Sequence, residues 1–345
     1  MKRYCAAALL LTVFGLPAFA ARAGSDAMPF LKLDSGARAA ALAGAYCASG
    51  DDALSVFYNP AGAAVAARKE FVFSHTEWLQ GIRHESLGYV HPLSRNSTVF
   101  GSANMLVSGE MVKFNAAGSS VGSFSANDYA FGGGFASALG RRFYGAIGMK
   151  LFYQKADGNG ATGWGGDAGL LKLYEDFRFG FSASNIGGRL KMGATTFNVP
   201  LMLRTGGALL INEQYWVMAD VTKPGAGDAT VGAGSEAEFE INRTDAFFVR
   251  AGYRTGRSTN AGSGLTLGAG LRNRDLRFDY AFAPYGDLGD SHRFTLRYAF
   301  GAKRTAFERT GKIRDYGTLD KDIPLSKRKK QVEMEKKKTL GEFNW

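Results

Sequence analysis

"RFYGAIGMKLFY", residues 142–153, is the stretch whose reading decides the fold. In an extended chain successive side chains alternate, so Phe143, Gly145, Ile147, Met149, Leu151 and Tyr153 share one face and Arg142, Tyr144, Ala146, Gly148, Lys150 and Phe152 the other. The same period of two recurs in "FRFGFSAS" (177–184), "LRFDYAF" (276–282) and "RFTLRYAF" (293–300). Phe177, Phe179 and Phe181 oppose Arg178, Gly180 and Ser182; Leu276, Phe278, Tyr280 and Phe282 oppose Arg277, Asp279 and Ala281; Phe294, Leu296, Tyr298 and Phe300 oppose Arg293, Thr295, Arg297 and Ala299. A soluble sandwich buries branched aliphatics and shows Lys, Glu and Thr to water. An aromatic-rich face opposite glycine, alanine, serine and arginine suits a transmembrane barrel, with lipid outside and a small, polar lumen inside.

Extending the pattern gives an all-β, transmembrane antiparallel barrel. Its strands are expected at 70–79, 82–92, 97–108, 127–138, 142–154, 163–174, 177–186, 200–211, 214–222, 228–240, 245–254, 263–272, 274–283 and 291–300, about fourteen in all. An even number places both ends of the barrel chain on the periplasmic side. Connections near Gln80-Gly81, Gly140-Arg141, Glu175-Asp176, Asn212-Glu213 and Asn273-Arg274 read as periplasmic turns, and "GSSVGSFSAN", "GNGAT" and "GDLGDS" as outside loops. Those loops are rich in Gly, Ser and Asn and offer few apolar residues.

Composition agrees with this class. Forty-six glycines and 13% aromatics beside eight prolines describe neither a collagen nor a disordered chain, because 46% of residues remain hydrophobic. Lys2 and Arg3 precede an apolar run from Cys5 to Phe19 that closes on Ala18-Phe19-Ala20, the pattern of a secretory signal peptide (1–23) cut after Ala20 or Ala23. Export to the outer membrane is therefore expected. Cys47 is then the mature chain's one cysteine and reads as a small packed residue. Of the net charge of +11, thirteen Lys/Arg against seven Asp/Glu fall in 301–345 and Lys2 and Arg3 add two more, which leaves about +3 for 4–300. The basicity belongs to the tail, and nucleic-acid binding by the body is not expected.

Upstream of the strands, "GARAAALAGAYCASGDDALSVFYNPAGAA" (36–64) is a run of small residues ending in a turn signal. It resembles the N-terminal signature of the PorV/PorQ family of outer-membrane barrels, relatives of FadL-type transporters, and "FDYAFAPYGDLGDSHRFTLRYAFG" (278–301) resembles that family's final hairpin. "PLMLRTGGALL" and "VRAGYR" lie between them in the expected order, so the resemblance spans roughly 30–301. It implies that 24–69 forms a plug inside the barrel of 70–301. Asp51, Asp52 and Asn59 would then meet lumen arginines or backbone amides, with a helix cap or a solvated turn as the equal alternative for the two aspartates. Pro60 and Gly62 would turn the chain towards the first strand. In the hairpin, Asp279, Tyr280, Gly286, Leu288 and Gly289 belong to the motif, and His292 and Arg293 would fix its turn. Arg142, Arg178, Arg277, Arg293 and Arg297 are the expected lumen charges.

The resemblance implies assistance to protein export or surface attachment, with secreted proteins or secretion-machinery components as partners beside the outer-membrane lipid. The alternatives are passive passage of hydrophobic small molecules, and a structural barrel whose basic tail tethers the envelope. The tail, 302–345, carries Lys327, Arg328, Lys329, Lys330, Lys336, Lys337 and Lys338, which suit an acidic periplasmic partner. No enzyme, cofactor or metal site is read. Ser74-His75 and His84-Glu85 put neighbours on opposite faces of their strands, and "FGGGF" and "GWGGDAG" lack the Lys-Ser/Thr of a phosphate loop. No spacing of His, Cys and carboxylates fits zinc or calcium.

Overall fold

A computed structural model describes residues 26–302, apart from 212–213, 243 and 258. The expected leader and the lysines of the tail lie outside the described residues, as does the turn at 212–213. Eighteen strands follow one another: β1 (Lys69–Glu77), β2 (Arg83–Pro92), β3 (Ser97–Val107), β4 (Met111–Phe114), β5 (Ser120–Phe124), β6 (Ala126–Gly140), β7 (Phe143–Ala156), β8 (Asn159–Leu173), β9 (Phe177–Ile186), β10 (Arg189–Met192), β11 (Thr195–Asn198), β12 (Met202–Ile211), β13 (Tyr215–Pro224), β14 (Thr230–Glu240), β15 (Ala246–Arg254), β16 (Leu265–Asn273), β17 (Leu276–Pro284) and β18 (Asp290–Phe300).

Fourteen of them form a closed antiparallel barrel in which every neighbour is the next barrel strand in the chain, and β1 closes on β18 from Lys69 opposite Phe300 to Glu77 opposite His292. Closure satisfies every edge, which the hydrocarbon of a membrane demands. Among the described residues no helix is long and apolar enough to cross a membrane. The remaining strands pair as two separate hairpins, β4–β5 and β10–β11.

The two faces fall where the alternation places them. Ile147, Met149 and Leu151 are 69%, 63% and 64% exposed on the outer wall, while Ala146, Lys150 and Phe152 between them are buried. Outer aromatics stack along the wall, as Tyr298 does on Phe300 and Tyr129 on Tyr153. β6, β7 and β8 run 15, 14 and 15 residues against 10 for β12 and β13, so one sector of the wall is the taller.

Strand parity fixes the two ends. The end where β1 starts and β18 stops, the tail end, holds the tight connections 93–96, 141–142, 174–176 and 274–275. The other, the loop end, holds both extra hairpins. The connection at Gln80-Gly81 follows the first strand, and so it lies at the loop end, opposite the side expected from its tightness.

The lumen is not open. Residues 27–66 run through it, almost all buried, as short turns at Pro29–Lys32, Ala53–Phe57 and Pro60–Val65 and one short helix, α1 (Ala37–Ala41). Small side chains on both partners permit this. Ala37, Ala40 and Ala41 pack on Ala281 of β17, and the strands meet the segment through glycine. A Cβ on Gly180 would lie 2.3 Å from the Cys47 carbonyl oxygen, and one on Gly252 would lie 2.7 Å from the Ala43 nitrogen. Gly252→Val is therefore expected to leave barrel closure intact, with a retained heat-modifiable gel shift, while residues 36–66 become cleavable in limited proteolysis. Unchanged protease resistance would contradict this packing.

Candidate functional site

The segment is held by ion pairs as well as by shape. Arg38, the one charge in the alanine run of α1, sends Nε and Nη2 to the two oxygens of Glu236 on β14, at 2.9 and 2.7 Å. Its Nη1 reaches the Tyr46 hydroxyl at 2.9 Å, Asp52 at 3.0 Å and Asp51 at 3.2 Å. Glu236 also accepts from Arg250 Nε at 2.5 Å and Arg277 Nη2 at 3.3 Å, and Asp279 binds both of those arginines in turn. Arg297 joins Asp52 at 3.2 Å to Glu70 at 3.7 Å, and Arg178 meets Asp51 at 3.4 Å. Arg38, Arg178, Arg250, Arg277 and Arg297 thus meet Asp51, Asp52, Glu70, Glu236 and Asp279, five formal charges of each sign.

Burying ions costs several kcal/mol each unless partners replace the lost water, and the bidentate fork of Arg38 on Glu236 is the strongest such replacement here. Backbone groups add to the seat. Asp220 Oδ2 accepts from the Tyr46 and Cys47 amides at 2.7 and 2.6 Å, Glu70 accepts from the Ala53 amide at 2.7 Å, and the Ala37 amide donates to Thr295 Oγ1 at 2.8 Å. Nearer the loop end Arg254 grips Asp34 through both carboxylate oxygens and donates to the Ala43 carbonyl.

The expected site residues divide cleanly. Asp52 does both things open to it: Oδ1 caps the 53–57 turn at the Leu54 amide, and Oδ2 takes Arg38, Tyr46 and Arg297. Asn59 caps the Pro60–Val65 turn and ties it to the carbonyls of Cys47 and Leu170, both at 2.9 Å. Gly62 passes close under the Gly50 carbonyl. Arg178, Arg277, Arg297 and Asp279 face the lumen. Arg142 does not: it sits in the β6–β7 turn with φ 55°, where a tight reversal rather than the strand's parity sets its direction.

Arg293 is not a turn residue but a fully buried lumen cation over the Trp78 ring, 5.3 Å from its centroid. His292 faces outward and meets the Tyr280 hydroxyl at 2.8 Å, away from the turn that Gly286 and Gly289 make with positive φ. Leu288 is exposed beside them. Ser74 and His84 both point inward without meeting: Ser74 bonds Thr295 and the Phe294 carbonyl, and His84 bonds Asn104. Cys47 is buried, and desolvation raises its thiol above the ordinary pKa, as suits a packing residue.

Sequence reading missed Arg38, Glu236 and Arg250; inward strand parity was the available signal for Glu236 and Arg250, and none marked Arg38. It also missed an apolar compartment at the loop end. The β9–β12 connection, which carries the β10–β11 hairpin, turns Leu190 and Val199 inward onto Met28, Phe30 and Leu31, against Phe152, Ala130 and Ala161 of the tall wall. The loops are therefore not short of apolar residues. Below this cluster lies a cavity of about 20 Å3, room for roughly one water, walled by Leu31, Leu33, Phe57 and Met202 on its apolar side and by Lys150 and Arg204 on its polar side.

The chain is thus a closed fourteen-stranded barrel whose lumen is filled by the residues that precede its first strand. Residues 19–197, more than half the sequence, match an uncharacterised protein family, UPF0164, and the chain belongs to that family. Among solved structures it is similar to the toluene transporter TbuX of Ralstonia pickettii, at 12% identity over 78% of this chain and 100% of that one with a TM-score of 0.54. A Pseudomonas aeruginosa FadL homologue matches at 12% identity over 77% and 98%, TM-score 0.53, and the Pseudomonas putida toluene transporter TodX at 13% over 76% and 96%, TM-score 0.52. At such identities the likeness is one of fold. Comparison with curated protein sequences gives no match.

Glu236→Gln removes the charge on which Arg38, Arg250 and Arg277 converge. Breaking a buried pair from one side typically costs about 3–5 kcal/mol. That loss is expected in denaturant unfolding of the protein in detergent, and a change within about 0.5 kcal/mol would contradict the network's role.

Proposed function

We propose that the chain provides a passive route for hydrophobic small molecules across an outer membrane. The observation that carries this is the apolar compartment inside the loop end, where Phe30, Leu31, Leu190 and Val199 close over the cavity beside Met202, within a lumen otherwise filled. Small-molecule sites combine apolar walls with placed polar groups; here the packed cluster supplies the apolar surface, and Asn104, Lys150, Asn185 and Arg204 line the polar side of the cavity beneath it. The fold is shared with proteins described as transporters of toluene and with a FadL homologue, which supports the same reading.

A route through the centre would have to displace the five-by-five ion network, whereas the wall beside the cavity is already irregular. Gly166 of β8 pairs with Ile186 and Ala168 with Ala183, so two residues of β9, Ser184 and Asn185, stand opposite Asp167 alone. Asn185 takes φ 63° there, bonded to Lys150 and to the Pro200 carbonyl. Such bulges break the ladder and re-aim side chains. The proposed path enters at the loop end, passes the cavity and leaves through this seam. The export reading rests on the resemblance and on a tail beyond the described residues, and no observation on the described residues favours it.

Cells whose outer membrane excludes N-phenyl-1-naphthylamine should take up this apolar fluorophore several-fold faster when they carry the chain, while reconstituted vesicles should show no swelling in hydrophilic sugars. Fluorophore uptake no faster than with empty vector, at equal surface expression, would refute the route.

A further inference from the structure

The cover over the loop end is built from two pieces that are far apart in sequence and joined by backbone. Asp26 bridges Asn198 of β11 in parallel, and the Ala27 amide donates to the Asn198 carbonyl at 3.0 Å. Below that bridge, Met28, Phe30 and Leu31 on the one piece and Leu190 and Val199 on the other bury one another, with Met28 and Leu190 fully enclosed. Each piece thus supplies the apolar partner that the other needs, because an isolated two-stranded hairpin such as β10–β11 is marginal in water.

The hairpin also has a defined root and a defined seat. Its chain leaves β9 at Asn185 and Gly187, both with positive φ, and returns through the Val199 amide bonded to the Gly188 carbonyl at 2.9 Å. It rests on the inner face of β8 where Gly163 leaves room: a Cβ there would lie 2.1 Å from the Arg189 carbonyl oxygen. Lys32 holds the other piece at its lower end, by Asp26 at 2.7 Å and the Ala226 carbonyl at 3.2 Å.

We propose that the N-terminal strap Asp26–Leu31 and the β10–β11 hairpin act as one two-part gate, each opening only with the other. The claim concerns access to the lumen and does not depend on what crosses it. Coupling between two elements is reciprocal, so disturbing either one must release its partner.

The test uses the full-length protein and cysteine accessibility to a membrane-impermeant maleimide, with the unsubstituted chain and its buried Cys47 as the blank. Ala27→Cys, at a buried position of the strap, should react slowly. Adding Gly163→Val, on the hairpin's seat, or Leu190→Asp, on the hairpin itself, should speed that reaction at least tenfold. In the reverse direction, Met28→Asp should speed labelling of Val199→Cys to a similar degree. Retention of the heat-modifiable band shows that each variant still closes its barrel. If Ala27→Cys keeps its rate in both hairpin variants, or Val199→Cys keeps its rate in the strap variant, the two pieces move independently and the gate is refuted.

Discussion

The bidentate contact between Arg38 and Glu236 is the constraint on which the rest of the molecule depends. A guanidinium carried on a five-residue helix of alanines enters a lumen at a large desolvation cost that acceptors there must offset. The barrel supplies Glu236 on one side, and the segment's own Asp51, Asp52 and Tyr46 on the other. Once Arg38 is placed, the acids beside it need further cations, and Arg250, Arg277 and Arg297 follow from three other strands. Small residues then become a requirement rather than a tendency: the helix must sit close enough to β14 for a direct pair, which alanine on one side and glycine on the other permit.

This arrangement also explains where a functional path can lie. Buried, mutually paired charges hold the middle of the lumen firmly, because displacing any one of them strands several partners. The loop end is held differently, by apolar contact, one backbone bridge and the Lys32 contacts to Asp26 and the Ala226 carbonyl, with a small cavity beneath it and an irregular seam in the wall beside it. Movement is cheapest where few buried hydrogen bonds must break. A plugged barrel with a stiff middle and a loosely joined cover puts the proposed route near one end rather than through the centre.

Much of the fold was legible because alternation survives in every long strand. The expected barrel strands coincide with the observed ones to within a few residues, and the inward parity of Arg178, Arg277, Asp279 and Arg297 was readable from two-residue periodicity. What escaped has physical causes. β10 and β11 are four residues each, too short for a period, and "GRLKMGATTFNV" therefore read as loop although it folds inward. Arg142 follows the pattern of β7 in sequence but stands in a turn whose backbone is left-handed. Tightness misled at Gln80-Gly81, since membrane side follows from counting strands and not from turn length. Glu236 lay unnoticed in a polar strand because nothing local shows that three arginines from α1, β15 and β17 will meet it.

Hydrogen exchange of the protein in lipid nanodiscs, resolved by mass spectrometry, tests the central claim most directly. A segment seated by Arg38 and Glu236 predicts that the amides of Ala37, Tyr46, Cys47 and Ala53, each bonded to a barrel side chain, exchange as slowly as those of β14 and β17. Exchange across 36–66 at the rate of exposed loops such as 115–119, with the strands still protected, would contradict a plug fixed in the lumen.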